Sequence, residues 1–148
     1  MRFRFLRAAL LPLAFAACGS ESTSLTAAVP IESTTFAASL GVNLAASTKT
    51  PSGLYYRDSR VGTGATIVAG QKLNVKYVGA LANGSVFDSG THPFTIPGPV
   101  IQGWNEGLMG MKVGGSRQLI IPPSLGYGTQ GSGPIPPNAV LVFTVEPL

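Results

Sequence analysis

Side chains that ordinarily carry covalent or metal chemistry are scarce in this chain. It has one cysteine, Cys18, and one histidine, His92. So far apart, they argue against a structural zinc set and against a Cys–His nucleophilic pair, and a lone cysteine allows no intrachain disulfide. Gly126, Gly128, Gly131 and Gly133 suggest a phosphate loop, but neither a Lys-Ser/Thr ending nor a helix pattern follows them. His92, between Thr91 and Pro93 in a turn-rich stretch, reads as an exposed loop residue. Asp88 after Phe87 fits a turn or cap. Trp104 alone reads as core, as do Tyr77 and Phe143. Tyr55 and Tyr56 read as strand packing.

The positioning elements follow from the punctuation. Residues 53–58 fit a short strand and residues 61–64 a turn. Residues 71–81 alternate, with Leu73, Val75, Tyr77, Gly79 and Leu81 on one face and Lys72, Asn74 and Lys76 on the other, which is a half-buried strand. Asn83-Gly84 is a hairpin turn and 85–88 the return strand. Residues 94–96 form another short extended piece between Pro93 and Pro97. Ile101, Trp104 and Leu108 share a helical stripe, which predicts a helix over 101–109. Gly103 and Gly107 cost it about 1 kcal/mol each relative to alanine, but let the inner face of a sheet approach closely. Residues 116–121 and 139–146 are strands. Residues 127–137 are too rich in Gly and Pro for regular structure. The sum is an α+β domain, an antiparallel sheet carrying one short helix.

The chain has 148 residues, 11% of them charged, with 19 Gly and 12 Pro. That fits one loop-rich domain with short extensions. The formal charge of +4 owes three positive charges to Arg2, Arg4 and Arg7; without them seven basic residues face six acidic ones, a net of +1. The remaining basic residues are scattered, and no nucleic-acid footprint emerges.

Residues 1–17 combine these arginines with a short apolar stretch, too short to span a bilayer, and read as an export signal peptide. Its end, Phe15-Ala16-Ala17 before Cys18, resembles a bacterial lipoprotein signal, with Phe15 standing where Leu is preferred. The resemblance implies a lipid anchor on Cys18, hence a periplasmic, membrane-attached protein; simple cleavage after Ala17 would give a soluble secreted one. Several acyl chains would fasten it to a membrane without a transmembrane helix. Residues 18–52 are rich in Ser, Thr and Ala and read as a tether, partly ordered at most. Phe36, Leu40 and Leu44 have the spacing of a short helix.

From residue 53 to 148 the ordered segments VKYVGAL, NGSVFDS, GPVIQGWNEGLMGMKVG, LIIPPSLGYG and IPPNAVLVFTVEPL resemble the FKBP family of peptidyl-prolyl cis-trans isomerases. The resemblance implies a five- to six-stranded antiparallel sheet wrapped around one short helix. It also implies a proline pocket with Tyr77 as wall and Phe87, Asp88 and Phe94 beside it. Val100 and Ile101 precede the helix, with the Ile101 N–H set to hold a substrate carbonyl. Trp104 is the floor, Tyr127 a hydroxyl donor, and Ile135 and Phe143 complete the rim and wall. Asp88 would orient Tyr127 or touch substrate. The chain departs from the best-known single-domain members in a shorter 88–93 loop, a shorter 127–137 loop with Pro134 at an apolar branched position, and Ile96 in place of Phe.

The resemblance implies an isomerase of X–Pro bonds in unfolded or flexible polypeptides; the export signal adds that it assists folding of exported proteins, and no dimerisation segment is visible, which reads as a monomer. It needs no cofactor and no metal, and binds macrolides such as tacrolimus or rapamycin. A non-catalytic peptide-binding module and a chaperone are the rival expectations.

Overall fold

The computed structural model describes residues 27–148. The expected signal peptide and Cys18 lie outside the described residues. The strands are β1 (Thr48–Lys49), β2 (Tyr55–Arg60), β3 (Lys72–Leu81), β4 (Val86–Thr95), β5 (Ser116–Ile121) and β6 (Leu141–Pro147), with one helix, α1 (Gln102–Gly107). Among the described residues they form one six-stranded antiparallel sheet in the order β1-β2-β5-β6-β3-β4.

Alternation in β3 sets the two faces. Leu73 and Val75 are buried on one side while Lys72, Asn74 and Lys76 are exposed on the other. Antiparallel register carries this face across the sheet: Leu119, Phe143, Gly79 and Asp88 form one row, and Arg117, Val145, Tyr77 and Gly90 the next. Trp104 and Leu108 pack onto this face with Leu119, Ile121, Phe143 and Val145.

The helix is shorter than its stripe predicts, and its two glycines explain how close it lies. A Cβ on Gly103 would stand 2.6 Å from the Ile121 side chain, and one on Gly107 2.6 Å from that of Leu119. Arg117, reaching up from β5, secures the helix end. Its Nη1 donates to the Gly107 carbonyl at 2.8 Å, while Nε and Nη2 donate to Asp58 at 2.6 and 2.9 Å. The guanidinium also lies 4.6 Å from the Tyr56 ring centroid. A planar fork serves all three partners at once.

Every residue of β5 is buried, which requires cover on both faces. The second cover comes from the N-terminal segment. Phe36, Leu40, Val42 and Leu44 pack against Ile31, Tyr55, Ile120, Val140 and Val142, and Gln118 Nε2 donates to the Leu40 carbonyl at 2.7 Å. The helical spacing of Phe36, Leu40 and Leu44 is realised as two 3-10 turns, Ala38–Leu40 and Leu44–Ala46, after an earlier one at Ile31–Ser33. Gly41, left-handed at φ 58°, ends the Ala38–Leu40 turn, and the Asn43 side chain caps the next.

The return strand also differs from the expectation. The sequence divides it into pieces at 85–88 and 94–96; β4 instead runs unbroken, Pro93 included. An edge strand tolerates proline because the missing N–H lies on its unpaired side, and β4 is an edge.

Candidate functional site

A cavity of about 470 Å³ opens on the sheet face that carries α1. Its floor is Trp104, brought there by the helix stripe and 5% exposed. The indole meets Tyr77 edge-to-face at 5.0 Å and Phe143 edge-to-face at 5.4 Å. Phe143 in turn meets Phe87 edge-to-face at 5.5 Å. These are favoured aromatic geometries, and they interlock floor and walls.

Two backbone features make this possible. A Cβ on Gly79 would stand 2.6 Å from Phe143 and 2.8 Å from Phe87, so only glycine leaves room for both rings over β3. The β3–β4 register slips there, with Gly79 opposite Asp88 but Ala80 opposite Val86. Phe87 is the extra residue of a β-bulge. Simple alternation would send Phe87 and Asp88 to opposite faces; the bulge lets both line the cavity.

The polar atoms sit at the edge. The Tyr77 hydroxyl donates to Asp88 Oδ2 at 2.7 Å. This bond, then burial, then the carboxylate charge, raise the Tyr77 hydroxyl above its ordinary value of 10. Asp88 therefore orients Tyr77; the sequence reading paired it with Tyr127 or substrate. Tyr127 lines the cavity from the long loop and is 38% exposed. Val100 and Ile101 line it just before α1. Asn105 holds that approach, accepting from the Gly98 N–H at 2.9 Å and donating to its carbonyl at 3.1 Å. The Ile101 N–H makes no hydrogen bond among the described residues, nor does the buried Trp104 Nε1.

Eight of the ten residues that the sequence reading assigned to a pocket line this cavity: Tyr77, Phe87, Asp88, Val100, Ile101, Trp104, Tyr127 and Phe143. Phe94 and Ile135 do not; both are buried in the core, with Phe94 6.0 Å from Trp104. Two lining residues were missed, Pro99 and His92. His92 is a strand residue on β4, stacked on Phe94 at 5.9 Å, rather than a loop residue. Its place at an even offset from Asp88 was the available signal. Cys18 lies outside the described residues. The described residues contain no group of three or more His, Cys, Asp or Glu side chains placed to hold a metal ion.

A family model described as FKBP-type peptidyl-prolyl cis-trans isomerase matches residues 64–148. The chain belongs to this family. FK506-binding protein 4 of Dictyostelium discoideum is 52% identical over 101 residues, 65% of this chain but 28% of that relative. This chain therefore spans little more than a quarter of it. The FK506-binding protein of Neisseria meningitidis serogroup B is 48% identical over 101 residues, 64% of this chain and 93% of the relative. Among solved structures, FkpA from Escherichia coli is similar at a TM-score of 0.65 and 38% identity, over 70% of this chain and 50% of that one. The sheet wrapped on one short helix is the fold these proteins share.

Proposed function

We propose that the domain accelerates cis-trans rotation about X–Pro bonds in unfolded or flexible polypeptides. The interlocked aromatic floor and walls around Trp104 carry this reading.

The barrier to that rotation, about 18–20 kcal/mol, comes from amide resonance. No bond breaks, so the site needs no nucleophile, base or metal. Water stabilises the planar, polar amide more than the twisted one. A proline ring seated on Trp104 between Tyr77, Phe87 and Phe143 would leave its amide short of water, which favours the twisted state. The unpartnered Ile101 N–H and the exposed Tyr127 hydroxyl are fixed donors for substrate carbonyls on either side of the bond. Tyr77, with its hydroxyl committed to Asp88, serves as a wall. The same apolar cavity suits a macrolide that presents a proline-like ring.

NMR exchange spectroscopy on a proline peptide tests this directly. Isomerisation well above background, suppressed by tacrolimus or rapamycin, is the expected result. Phe87→Ala should lower kcat/KM by about tenfold, the loss of roughly 1.4 kcal/mol of transition-state stabilisation. A correctly folded protein that leaves the exchange rate at background would overturn the proposal and favour a binding module or chaperone.

We also propose that the protein works as a monomer outside the bacterial cytoplasm, held to a membrane by lipid on Cys18 and assisting the folding of exported proteins. The export-like residues 1–17 and the placement of the one cysteine support this. Intact-mass measurement of the mature protein tests it; acyl chains on Cys18 support an anchor, and a plain cleaved mass refutes it.

A further inference from the structure

We propose that His92 makes this cavity select polypeptides carrying an acidic side chain within a few residues of the proline, on one side of it only. The proposal rests on the isomerase reading and names the substrate class of that same site.

Position comes first. His92 pairs with Val75, so it shares the cavity face of the sheet with Asp88, Gly90 and Phe94. The imidazole stacks on Phe94 at 5.9 Å, and Phe94 lies 6.0 Å from Trp104. Two ring-to-ring steps thus join the imidazole to the floor. An extended chain advances about 3.3 Å per residue, so a proline on Trp104 brings side chains no more than about four residues away past His92. Between Asp88 and His92 the face carries only Gly90. An added Cβ there would make ordinary van der Waals contact with the Tyr77 ring and hydroxyl at 3.7–3.9 Å, with no closer clash. A chain running along β4 would pass over Gly90 beside the Tyr77 side chain.

Charge decides what is read. The titratable groups lining the cavity are Tyr77, Asp88, His92 and Tyr127, with no lysine or arginine among them. Lys76 on β3 pairs with Thr91 and belongs to the opposite face. His92 is therefore the lining side chain able to become a cation. At the other end of the same wall stands the Asp88 carboxylate, which already accepts from Tyr77. A carboxylate passing His92 meets attraction, and one passing Asp88 meets repulsion. A lysine experiences the reverse. This asymmetry confines the acidic preference to one side of the proline.

The test uses NMR exchange on end-capped peptides with Glu, Gln or Lys one or two residues before, or after, the proline, at pH 8 and pH 5.5. Histidine gains charge across this range. For Glu on one side of the proline, the Glu-to-Gln ratio of kcat/KM should rise about two- to fivefold on acidification, the size of an exposed ion pair. His92→Gln should flatten that rise, and His92→Lys should fix the preference at both pH values. Melting temperatures and circular dichroism verify that both variants fold. A flat ratio in the wild type, or a rise that survives in His92→Gln, overturns the proposal while the isomerase reading stands. Failure to isomerise even the Gln peptides overturns both.

Discussion

The Tyr77 hydroxyl and the Asp88 carboxylate join β3 to β4 across the mouth of the cavity, 2.7 Å apart. The bond explains why an acidic residue stands in an otherwise apolar wall. It holds the Tyr77 ring against Trp104 and gives the Asp88 Oδ2 a donor there. Because Asp88 raises the Tyr77 hydroxyl above 10, the stabilisation is fully present below pH 10 and is lost as pH rises through the higher folded-state value. In an ultraviolet pH titration, Asp88→Asn should bring one tyrosine ionisation down towards 10. Tyr77→Phe should remove that transition and slow isomerisation, by loosening the wall, with Trp104 still in place. If Asp88→Asn leaves every tyrosine titration unmoved, the bond does not form in solution.

Gly79 and Gly90 offer a paired test on the same face. A methyl at Gly79 would stand 2.6 Å from Phe143 and 2.8 Å from Phe87, whereas one at Gly90 makes ordinary contact with Tyr77. Overpacking of this kind costs about 1–3 kcal/mol. Gly79→Ala is expected to lose that much stability in urea denaturation and most of its isomerase activity. Gly90→Ala should fold as stably as the parent, since losing a glycine's unfolded-state freedom offsets small adjustments. Equal stability of the two variants would contradict the aromatic packing described over β3.

Much of this site was legible because its elements are locally consistent. The alternation of Leu73, Val75 and Tyr77 and the stripe of Ile101, Trp104 and Leu108 each give both an element and its buried face. Gly103 and Gly107, poor helix residues, pointed to the close sheet contact that Ile121 and Leu119 make. What escaped depends on relations between strands. The return strand was read only to Asp88, with 88–93 as a loop and Pro93 bracketing a separate piece, because a proline's tolerance here follows from β4 being an edge, which no local pattern shows. With that strand broken, His92 fell into a loop and out of the site. The bulge at Phe87 is a property of pairing with Gly79 and Ala80, as is the choice of Tyr77 as partner for Asp88. The packing of residues 31–49 was only partly visible: Phe36, Leu40 and Leu44 showed a helical spacing, but short 3-10 turns lack a strong period and pack on Ile120 and Val142 from elsewhere in the sheet.

Arg117 should be among the most sensitive residues outside the cavity. Its side chain is 7% exposed, and it joins Asp58, Tyr56 and the end of α1. Removing Arg117 loses its bonds to Gly107 and Asp58 and its packing on Tyr56, while the Asp58 side chain left behind is 31% exposed and partly solvated, so the cost is about 1–3 kcal/mol. Arg117→Met is expected to lose about that much in urea denaturation, and Arg117→Lys a large part of it, because an ammonium cannot fork to Asp58 while reaching Gly107. Replacing Asp58 by Leu in the Arg117→Met background should recover stability, since no carboxylate is then left unpaired. A fully stable Arg117→Met protein would show that α1 is held by its apolar stripe alone.

Glu32 ties the N-terminal segment to the back of the sheet and gives that attachment a pH limit. Its carboxylate accepts from Lys49 Nζ at 2.5 Å and from the Tyr55 hydroxyl at 2.6 Å. The Lys49 bond first and the Tyr55 bond second lower its pKa from 4.5 to about 2. A depressed carboxylate contributes its stabilisation fully above the unfolded value of 4.5 and loses it as pH falls through about 2. Below that point the hydroxyl and ammonium have no anion to bind, and the segment is held by Ile31 and its apolar neighbours and by the hydrogen bonds of Gln118 to the Leu40 carbonyl and of Arg57 to the Gly41 carbonyl. Hydrogen exchange of the backbone amides of residues 31–49 should therefore accelerate between pH 4.5 and pH 2, after correction for intrinsic rates, while β3 and β6 stay protected. Glu32→Gln should show the faster exchange already at pH 6, with no further change on acidification. The salt bridge is exposed, so the effect should shrink as ionic strength rises. Exchange in this segment that is independent of pH in the wild type would show that the Glu32 carboxylate adds nothing to its docking beyond apolar contact and the Gln118 and Arg57 hydrogen bonds.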